Sequence, residues 1–383
     1  MRIVHVLTRL LRAGSEENTL ASCSAQIAGG HEVYLIHGNE YDESYYKNPI
    51  AGLKLVRVDS LVHPLNPGKD VAAFRAMKRL FSQLRPDIVH THQSKAGVLG
   101  RFAAKAAGVR HIVHGVHIVP FMNVGTLQRL VYLAAERAAG AVTDAFIDVS
   151  PAMKAACVNA GVGTADRHHV IPSGFDLGRF RAGHAPEEWR DILGLAENEP
   201  RPPVILMMAA LEPRKRHCEF LRAFPAVVAR HPGVRLLMPG EGPHREAVES
   251  VIRELGLERN ALLLGYRTDP QNLIALADFC MLTSTREGLP RVIMQYLAGG
   301  RPCIVSDLPG IEVVVRHGWN GIVTPADDME AAAQAAIELI ENEVVRQRLT
   351  QGARATDLDS WQVENMCRSI EEVYRNLLTR AER

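Results

Sequence analysis

Residues 87–114, DIVHTHQSKAGVLGRFAAKAAGVRHIVH, determine the predicted fold class. A short apolar run at 87–91 is followed by a helical pattern at 99–107 and by a second apolar run at 111–114. A strand, a helix and a strand in this order predict two parallel strands joined by a crossover helix.

The same alternation continues in both directions from this stretch. Residues 172–203 are rich in Gly, Pro and charge and interrupt it, and a fresh apolar strand follows at 204–209. The 383 residues therefore predict an α/β protein with two Rossmann-like, doubly wound parallel sheets, in domains 1–175 and 176–359. Residues 360–383 predict a C-terminal helix that packs back toward the N-terminal domain. Its apolar stripe comprises Val363, Met366, Ile370, Val373 and Leu377.

Composition narrows the functional classes. The aromatic content of 5% argues against a nucleic-acid partner, and the six cysteines are scattered without the spacing of a zinc site or a disulfide framework. No run of 18 apolar residues and no leader pattern is present, so we expect a cytoplasmic protein. Residues 1–175 carry 19 Lys and Arg against 13 Asp and Glu, and the remainder carries 25 against 30. This asymmetry fits an anionic partner, or a mere drift of surface charge between domains.

Ligands of open parallel sheets bind beyond the carboxyl ends of the strands, so we expect function in a cleft lined by loops of both domains. The sequence contains no glycine-rich dinucleotide fingerprint, no Walker phosphate loop and no GxSxG nucleophile elbow. The commoner classes of α/β enzyme are therefore disfavoured.

The most informative loop is residues 284–300, STREGLPRVIMQYLAGG. A helix that begins near Pro290 would offer free N–H groups to a phosphate, and Gly288 would let the ligand approach the backbone. Glu287 would face a sugar, and Gln295, two helical turns further on the same face, would reach a ribose hydroxyl. The alternative is an ordinary loop before an amphipathic helix.

Two further loops carry candidate binding residues. Residues 211–217, LEPRKRH, place Arg214, Lys215 and Arg216 after a predicted strand, where their charge could stabilise a leaving diphosphate. An isolated basic triplet can also be a solvated turn. In residues 12–16, RAGSE, Gly14 could present bare backbone to a ligand.

Histidines at strand ends have the spacing of metal ligands. His90 and His92 form one pair, and His114 and His117 form another. No third ligand or partnering carboxylate is evident nearby, and no DxD motif follows a strand. We therefore predict no metal site.

Taken in order, these loops resemble the family 4 retaining glycosyltransferases, which have the GT-B architecture. The matching blocks cover nearly the whole chain: AGSE (13–16), PDIVHTHQSKAGVLGR (86–101), HGVHIVPF (114–121), DVSPAMK (148–154), VIPSGFDLGRF (170–180), LEPRKRH (211–217), LMPGEGPHR (237–245), EGLPRVIMQYLAGGRPCIVSDLPG (287–310) and HGWNGIVTP (317–325). The last two are the most specific.

The resemblance implies roles for individual residues. Glu287 corresponds to the first carboxylate of a paired-Glu motif that contacts the donor sugar, and His117 to a histidine that approaches this sugar from the N-terminal domain. Lys215 matches the diphosphate-binding lysine, Gly14 the glycine beside the phosphates, and the Leu289 backbone would hold the distal phosphate.

Three positions depart from the family pattern. Gln295 replaces the second glutamate and can hydrogen-bond to ribose but cannot accept as a carboxylate does. Ala210 stands where an arginine is usual, and Arg214 could take over its phosphate. Ser173 stands where an asparagine is usual.

The resemblance implies a metal-independent, retaining hexosyltransferase that uses a nucleotide-sugar donor, UDP- or GDP-linked, and a glycan or lipid-linked acceptor in cell-surface glycan synthesis. Two alternatives remain: a nucleotide-sugar epimerase or hydrolase of the same architecture, and a non-catalytic nucleotide-sugar binder.

Membrane association is the last expectation from the sequence. Residues 71–84, VAAFRAMKRLFSQL, form a basic amphipathic helix that could lie on an anionic membrane at the inner face, although most such helices cover a sheet. Six basic residues would suit a diphosphate-lipid acceptor: Arg75, Lys78, Arg79, Arg85, Arg101 and Lys105.

Overall fold

The computed structural model describes residues 1–11, 14–122, 124–285, 287, 290–308 and 310–380. The chain forms two units: unit 1 comprises Met1–Phe175 together with the segment from Asp359 onward, and unit 2 comprises Asp176–Leu358. Each unit contains one parallel sheet with helices packed on it, which confirms the predicted fold class.

The sheet of unit 1 has seven parallel strands in the order β3-β2-β1-β4-β5-β6-β7. The strands are β1 (Arg2–Leu7), β2 (Glu32–His37), β3 (Lys54–Arg57), β4 (Ile88–His92), β5 (His111–Val116), β6 (Ala145–Asp148) and β7 (His168–Val170). The helices that connect them are α1 (Gly14–Ala28), α2 (Ser44–Lys47), α3 (Pro67–Leu84), α4 (Ser94–Ala106), α5 (Thr126–Gly140) and α6 (Pro151–Asn159). The strand order reverses between β1 and β4.

The helices of unit 1 begin where the sequence provides caps. The Asn66 side chain accepts a hydrogen bond from the Lys69 backbone N–H, and Pro67 occupies the first turn of α3. Ser150 caps α6 in the same way. Apolar residues of α3, including Met77 and Phe81, then pack with strand residues such as Val89 in one core layer.

Unit 2 has six parallel strands in the order β10-β9-β8-β11-β12-β13. The strands are β8 (Val204–Leu206), β9 (Arg235–Pro239), β10 (Ala261–Gly265), β11 (Phe279–Leu282), β12 (Cys303–Ser306) and β13 (Gly321–Thr324). The helices are α7 (Leu177–Arg181), α8 (Trp189–Ile192), α9 (His217–Ala223), α10 (Pro225–Arg230), α11 (Arg245–Glu254), α12 (Pro270–Leu276), α13 (Arg291–Ala298), α14 (Met329–Glu341) and α15 (Glu343–Arg354). Here the order reverses between β8 and β11.

The last helix, α16 (Val363–Arg380), belongs to unit 1. Its buried residues Met366, Ile370 and Val373 join a core layer with Ile3 and Ile88 of the sheet. This is the stripe that the sequence predicted, and burial of such side chains is worth about 1.5–3 kcal/mol each. The helix therefore completes the core on the face of the sheet that also carries α1.

Candidate functional site

The loops after β8 and β11 meet at the carboxyl edge of the sheet of unit 2. The Thr285 backbone N–H donates to the Arg214 carbonyl oxygen at 2.9 Å, and the Thr283 hydroxyl donates to the Lys215 carbonyl at 3.1 Å. Because β8 and β11 flank the reversal of strand order, these loops lie at the topological switch point, where ligands of such sheets bind. The two loops singled out from the sequence therefore form one site.

Two cations converge on one carboxylate in this site. The Lys215 ammonium donates to Glu287 Oε1, and Arg214 Nη1 lies 3.2 Å from both carboxylate oxygens. Arg214 Nε also donates to Glu212 Oε2 at 2.6 Å. The Lys215 and Glu287 side chains are only 11% and 10% exposed, so the pair is largely shielded from water and strengthened by low dielectric. The structure thus brings together Lys215, Arg214 and Glu287.

The structure places only some of the other residues that the sequence predicted in the loop at 284–300. Gly288 and Leu289 lie outside the described residues. Pro290 directly precedes α13, with φ −72° and ψ 105°, and Gln295 is half-buried on that helix. The prediction that Glu287 and Gln295 share a helical face is wrong, because the extended backbone at Pro290 stops the helix from reaching back to Glu287.

His217 lies in the basic loop at 211–217 but is not among the site residues predicted from the sequence. This residue begins α9 and is buried, and neither ring nitrogen has a hydrogen-bond partner among the described residues. Burial, together with the nearby Lys215 ammonium, lowers the pKa of His217 to about 4. His217 is therefore a neutral imidazole beside the ionic cluster at neutral pH.

In unit 1 the strand order reverses between β1 and β4, and Gln93 connects the loops that follow these two strands. Its side-chain oxygen accepts hydrogen bonds from the backbone N–H groups of Thr8, at 2.9 Å, and Arg9, at 3.2 Å, and its amide nitrogen donates to Glu16. Gln93 has φ 61° and ψ 171°, a region that non-glycine residues rarely adopt. Gly14, the predicted phosphate-loop glycine, is the first residue of α1. Gln93 therefore holds both ends of the loop that leads to Gly14.

His117 follows β5 at the same edge of this sheet and is half-buried. Its Nε2 lies 3.1 Å from Nδ1 of His92, the last residue of β4. His114, its partner in the predicted pair, instead contacts the Thr91 hydroxyl at 3.0 Å. The HxxH spacing therefore does not bring the two histidines to one centre.

His5 is a third histidine beside His90 and His92, and the sequence pattern did not reveal it. Ring nitrogens of His5, His90 and His92 lie within 4.8 Å of one another. His5 is hydrogen-bonded to Gln26 through Nε2 and to His92 through Nδ1, at 2.9 and 3.0 Å. The nitrogens of His5 are satisfied by protein partners, and a metal ion would have to displace these bonds. We assign no metal to the group.

Two observations correct the prediction of a membrane-binding surface in unit 1. The apolar residues Ala73, Met77 and Phe81 of the helix at 71–84 are buried against the sheet. Arg101, counted among the available cations, is fully buried and paired with Glu136. None of the helices in the described ranges combines the length and the apolar character needed to cross a bilayer.

Two family models match this chain, one over most of each unit. The model described as Glycosyltransferase Family 4 matches residues 13–179, and the model described as Glycosyl transferases group 1 matches residues 187–356. The matched regions contain the loops of unit 2 that hold Lys215 and Glu287 and, in unit 1, Gln93 and His117.

Named relatives match at comparable length. The UDP-Gal:alpha-D-GlcNAc-diphosphoundecaprenol alpha-1,3-galactosyltransferase of Escherichia coli is 27% identical over 326 residues, 84% of this chain and 83% of that protein. The GDP-mannose-dependent alpha-(1-6)-phosphatidylinositol monomannoside mannosyltransferase of Mycolicibacterium smegmatis is 27% identical over 371 residues, 92% of each chain.

Solved structures share the fold. The HepE protein of Anabaena, in complex with UDP and glucose, superposes with a TM-score of 0.81 at 20% identity and covers 98% of this chain and 100% of its own. A glycosyltransferase from Rickettsia africae superposes with a TM-score of 0.80 at 20% identity, covering 98% of each chain. The architecture is therefore GT-B.

Proposed function

The chain belongs to the family 4 glycosyltransferases, and from that membership we propose that it moves a hexose from a nucleoside diphosphate carrier to an acceptor hydroxyl, with retention at the anomeric carbon. The cluster of Lys215, Arg214 and Glu287 carries the proposal. It joins phosphate-binding cations to a carboxylate that can hold sugar hydroxyls, at the switch point of the sheet.

In the proposed complex the diphosphate replaces Glu287 as the partner of Lys215 and Arg214. The released carboxylate then accepts hydrogen bonds from the hexose. The two cations stabilise the negative charge that develops as the carbon–oxygen bond to the diphosphate breaks. Removal of one such preorganised group from an enzyme typically costs about 3–4 kcal/mol of transition-state stabilisation.

Retention follows from attack on the face that the diphosphate leaves. The acceptor oxygen bonds to the anomeric carbon while the bond to the phosphate oxygen breaks, and the departing phosphate oxygen takes the acceptor proton. No protein nucleophile takes part. Glu287 and His117 orient the hexose by hydrogen bonds. In support, the names of both relatives specify alpha-linked products.

The same cations make a divalent metal unnecessary in the proposed reaction. Lys215 and Arg214 supply two positive charges within reach of one carboxylate, which is the charge that a bound metal ion provides in metal-dependent transferases. Transfer that is unchanged by EDTA is the expected result, and loss of turnover that added Mg²⁺ or Mn²⁺ restores would contradict it.

The proposed acceptor is a lipid-linked glycan of the cell surface. The relative from Escherichia coli acts on a diphosphoundecaprenol-linked sugar, and the one from Mycolicibacterium smegmatis acts on a phosphatidylinositol mannoside. Neither alternative, the epimerase or hydrolase and the non-catalytic binder, is favoured by any feature of the site.

The first experiment compares UDP-, GDP-, ADP- and dTDP-sugars by thermal shift in EDTA. A ligand that binds the native state raises Tm by mass action once its concentration exceeds Kd. We expect one nucleotide class to stabilise unit 2, and the stabilising donor then enters transfer assays with lipid-linked acceptors. Absence of any shift, with a folded protein, would contradict donor binding at this site.

Removal of the carboxylate charge gives the mutational test. We expect Glu287→Gln to lower kcat/KM by about 100-fold or more, because the hexose loses its ionic acceptor in the transition state. Glu212→Gln is the matched control, since the Glu212 carboxylate pairs with Arg214, whereas Glu212 meets Lys215 only through a backbone hydrogen bond that the substitution keeps. Activity of Glu287→Ala and His117→Ala within about twofold of the parent would refute the proposed roles.

A further inference from the structure

A row of hydrogen-bonded imidazoles runs through unit 1 and ends at His117. His5 Nε2 lies 2.9 Å from Gln26 Oε1, His5 Nδ1 lies 3.0 Å from His92 Nε2, and His92 Nδ1 lies 3.1 Å from His117 Nε2. His5 and His92 are buried, at 0% and 3% exposure. Each of these two rings therefore uses both nitrogens inside the protein.

The direction of these bonds follows from the chemistry of Gln26. An amide oxygen only accepts, so Nε2 of His5 carries the hydrogen. Burial lowers the pKa of His5 to about 4 and the pKa of His92 well below its usual value, so both rings are neutral at pH 7. A neutral ring has one N–H, and His5 Nδ1 must accept from His92 Nε2–H. His92 Nδ1 in turn accepts from His117 Nε2–H.

The orientation of the Gln26 amide is set from the opposite side by α16. Gln26 is hydrogen-bonded to the Tyr374 hydroxyl, which opposes the rise in the pKa of Tyr374 that burial causes. The Tyr374 oxygen in turn lies 2.6 Å from His90 Nδ1, to which its hydroxyl can donate. With the amide nitrogen directed at Tyr374, the amide oxygen faces His5.

We propose that the relay Gln26–His5–His92 fixes His117 as the Nε2–H tautomer, so that Nδ1 of His117 accepts a hydrogen bond from a hydroxyl of the transferred sugar. This inference rests on the proposed function, because it takes His117 as a sugar-binding residue. The fixed tautomer of His117 selects for sugar donors that have this hydroxyl. A deoxy sugar that lacks this hydroxyl cannot donate there, and the unprotonated nitrogen then loses its partner.

Gly115 makes the last bond of the relay possible. A Cβ at this position would lie 2.8 Å from His92 Nδ1 and 3.1 Å from His117 Nε2, the two atoms that form the bond. Any side chain would push the rings apart. The glycine thus preserves the contact through which the tautomer of His117 is set.

The tautomer of His117 is measured by NMR on the full chain with ¹⁵N-labelled histidine. The signals that disappear in the His117→Gln variant are those of His117. We expect a protonated Nε2 and an unprotonated Nδ1 at neutral pH. His92→Leu removes the acceptor, so His117 should then exchange between both tautomers, and His92→Asn should restore Nε2–H through its side-chain oxygen. His114→Leu is the matched control: the same change at a buried histidine of β5 that is hydrogen-bonded to Thr91 and lies outside the relay.

Kinetics test the link to the sugar with UDP-galactose and its deoxy analogues, each lacking one hydroxyl, as probes. His92→Leu should lower kcat/KM about tenfold for UDP-galactose, the value of one hydrogen bond, and much less for the analogue that lacks the relevant hydroxyl. His92→Asn should recover most of this loss.

Three results distinguish a failure of the relay, of the sugar contact and of the role of His117. A protonated Nδ1 on His117 of the parent protein, or an unchanged tautomer in His92→Leu, would overturn the relay. A fixed tautomer with equal loss for all donors would overturn the sugar contact. If His117→Gln transfers as fast as the parent, the role of His117 in the proposed function fails, whatever the tautomer.

Discussion

Buried histidine is the residue type that most affects the chemistry of this chain. His5 has no exposed surface, and His217 is buried in unit 2, where no residue that the structure describes hydrogen-bonds to either ring nitrogen. Burial lowers the pKa of each to about 4. Both rings are neutral in the native protein and regain their ordinary pKa near 6.5 when the chain unfolds.

This difference in histidine pKa between the native and the unfolded chain predicts that the native protein loses stability in acid. Because the unfolded chain binds more protons between pH 6.5 and 4, the stability that neutral His5 contributes is complete above 6.5 and is lost as the pH falls through this window. The loss for His5 alone is about 3 kcal/mol. We expect Tm to fall between pH 7 and pH 5, with a smaller slope in His5→Gln. Replacement of the exposed His184 by Gln is the control, and equal slopes in both variants would contradict the argument.

The sequence indicated the polar residues at strand ends but not their partners. His90 and His92 were recognised from their spacing, whereas His5 is more than 80 residues away and joins them only because β1 pairs with β4, with His5 opposite His90. Likewise, the LEPRKRH loop and Glu287 were separate candidates until the pairing of β8 with β11 brought them together. Long-range register decides such contacts, and local pattern does not contain it.

Helix α3 illustrates how an element can be stable and still carry a suboptimal end. It begins after a side-chain cap at Asn66 and is followed directly by Arg85, whose φ of 46° and ψ of 58° lie in the left-handed region. The Arg85 backbone N–H donates to the Phe81 carbonyl. Glycine is the usual residue at this position because it has no Cβ to clash.

Replacement of this residue should therefore stabilise the element. We expect Arg85→Gly to raise the free energy of unfolding by about 0.5–1 kcal/mol, since relief of left-handed strain exceeds the added freedom of the unfolded chain. Arg85→Ala keeps the strain and should give no gain. Urea denaturation followed by circular dichroism measures both, and equal stability of the two variants would count against the strain.

Elements with a clear apolar period were predictable, and those without one were not. The strand β3 was missed because it is a short edge strand with exposed Lys54 and Arg57 and no apolar run. The helix α4 starts at Ser94, earlier than its apolar pattern indicates, because Gln93 turns the chain with a positive φ. The strand β8 ends at Leu206 rather than at 209, because the chain then leads into the loop of the candidate site.

At the scale of the molecule, unit 1 is assembled from two distant parts of the chain. Residues of α16 share a core layer with β1, β4 and β5, and Tyr374 contacts His90. The Phe175 backbone exchanges hydrogen bonds with Trp361 and Val363, at 2.8 and 3.0 Å. Unit 2 is thus inserted between two segments that are joined in unit 1.

A pair of cavity-forming variants tests this assignment. Ile370→Ala in α16 and Ile337→Ala in α14 each remove a buried side chain and should cost about 2–5 kcal/mol. Hydrogen exchange followed by mass spectrometry should find faster exchange in β1, β4 and β5 for Ile370→Ala, and in the sheet of unit 2 for Ile337→Ala. Faster exchange confined to α16 itself would contradict the shared core.

The late position of α16 has a consequence for biosynthesis. A ribosome releases the strands of unit 1 first, then all of unit 2, and only afterwards the helix that covers the face formed by Ile3 and Ile88. During translation unit 2 can complete its core while this face of the earlier unit is still uncovered. The part of the chain that is made first is therefore the last to complete its core, and its uncovered apolar face favours aggregation throughout that interval.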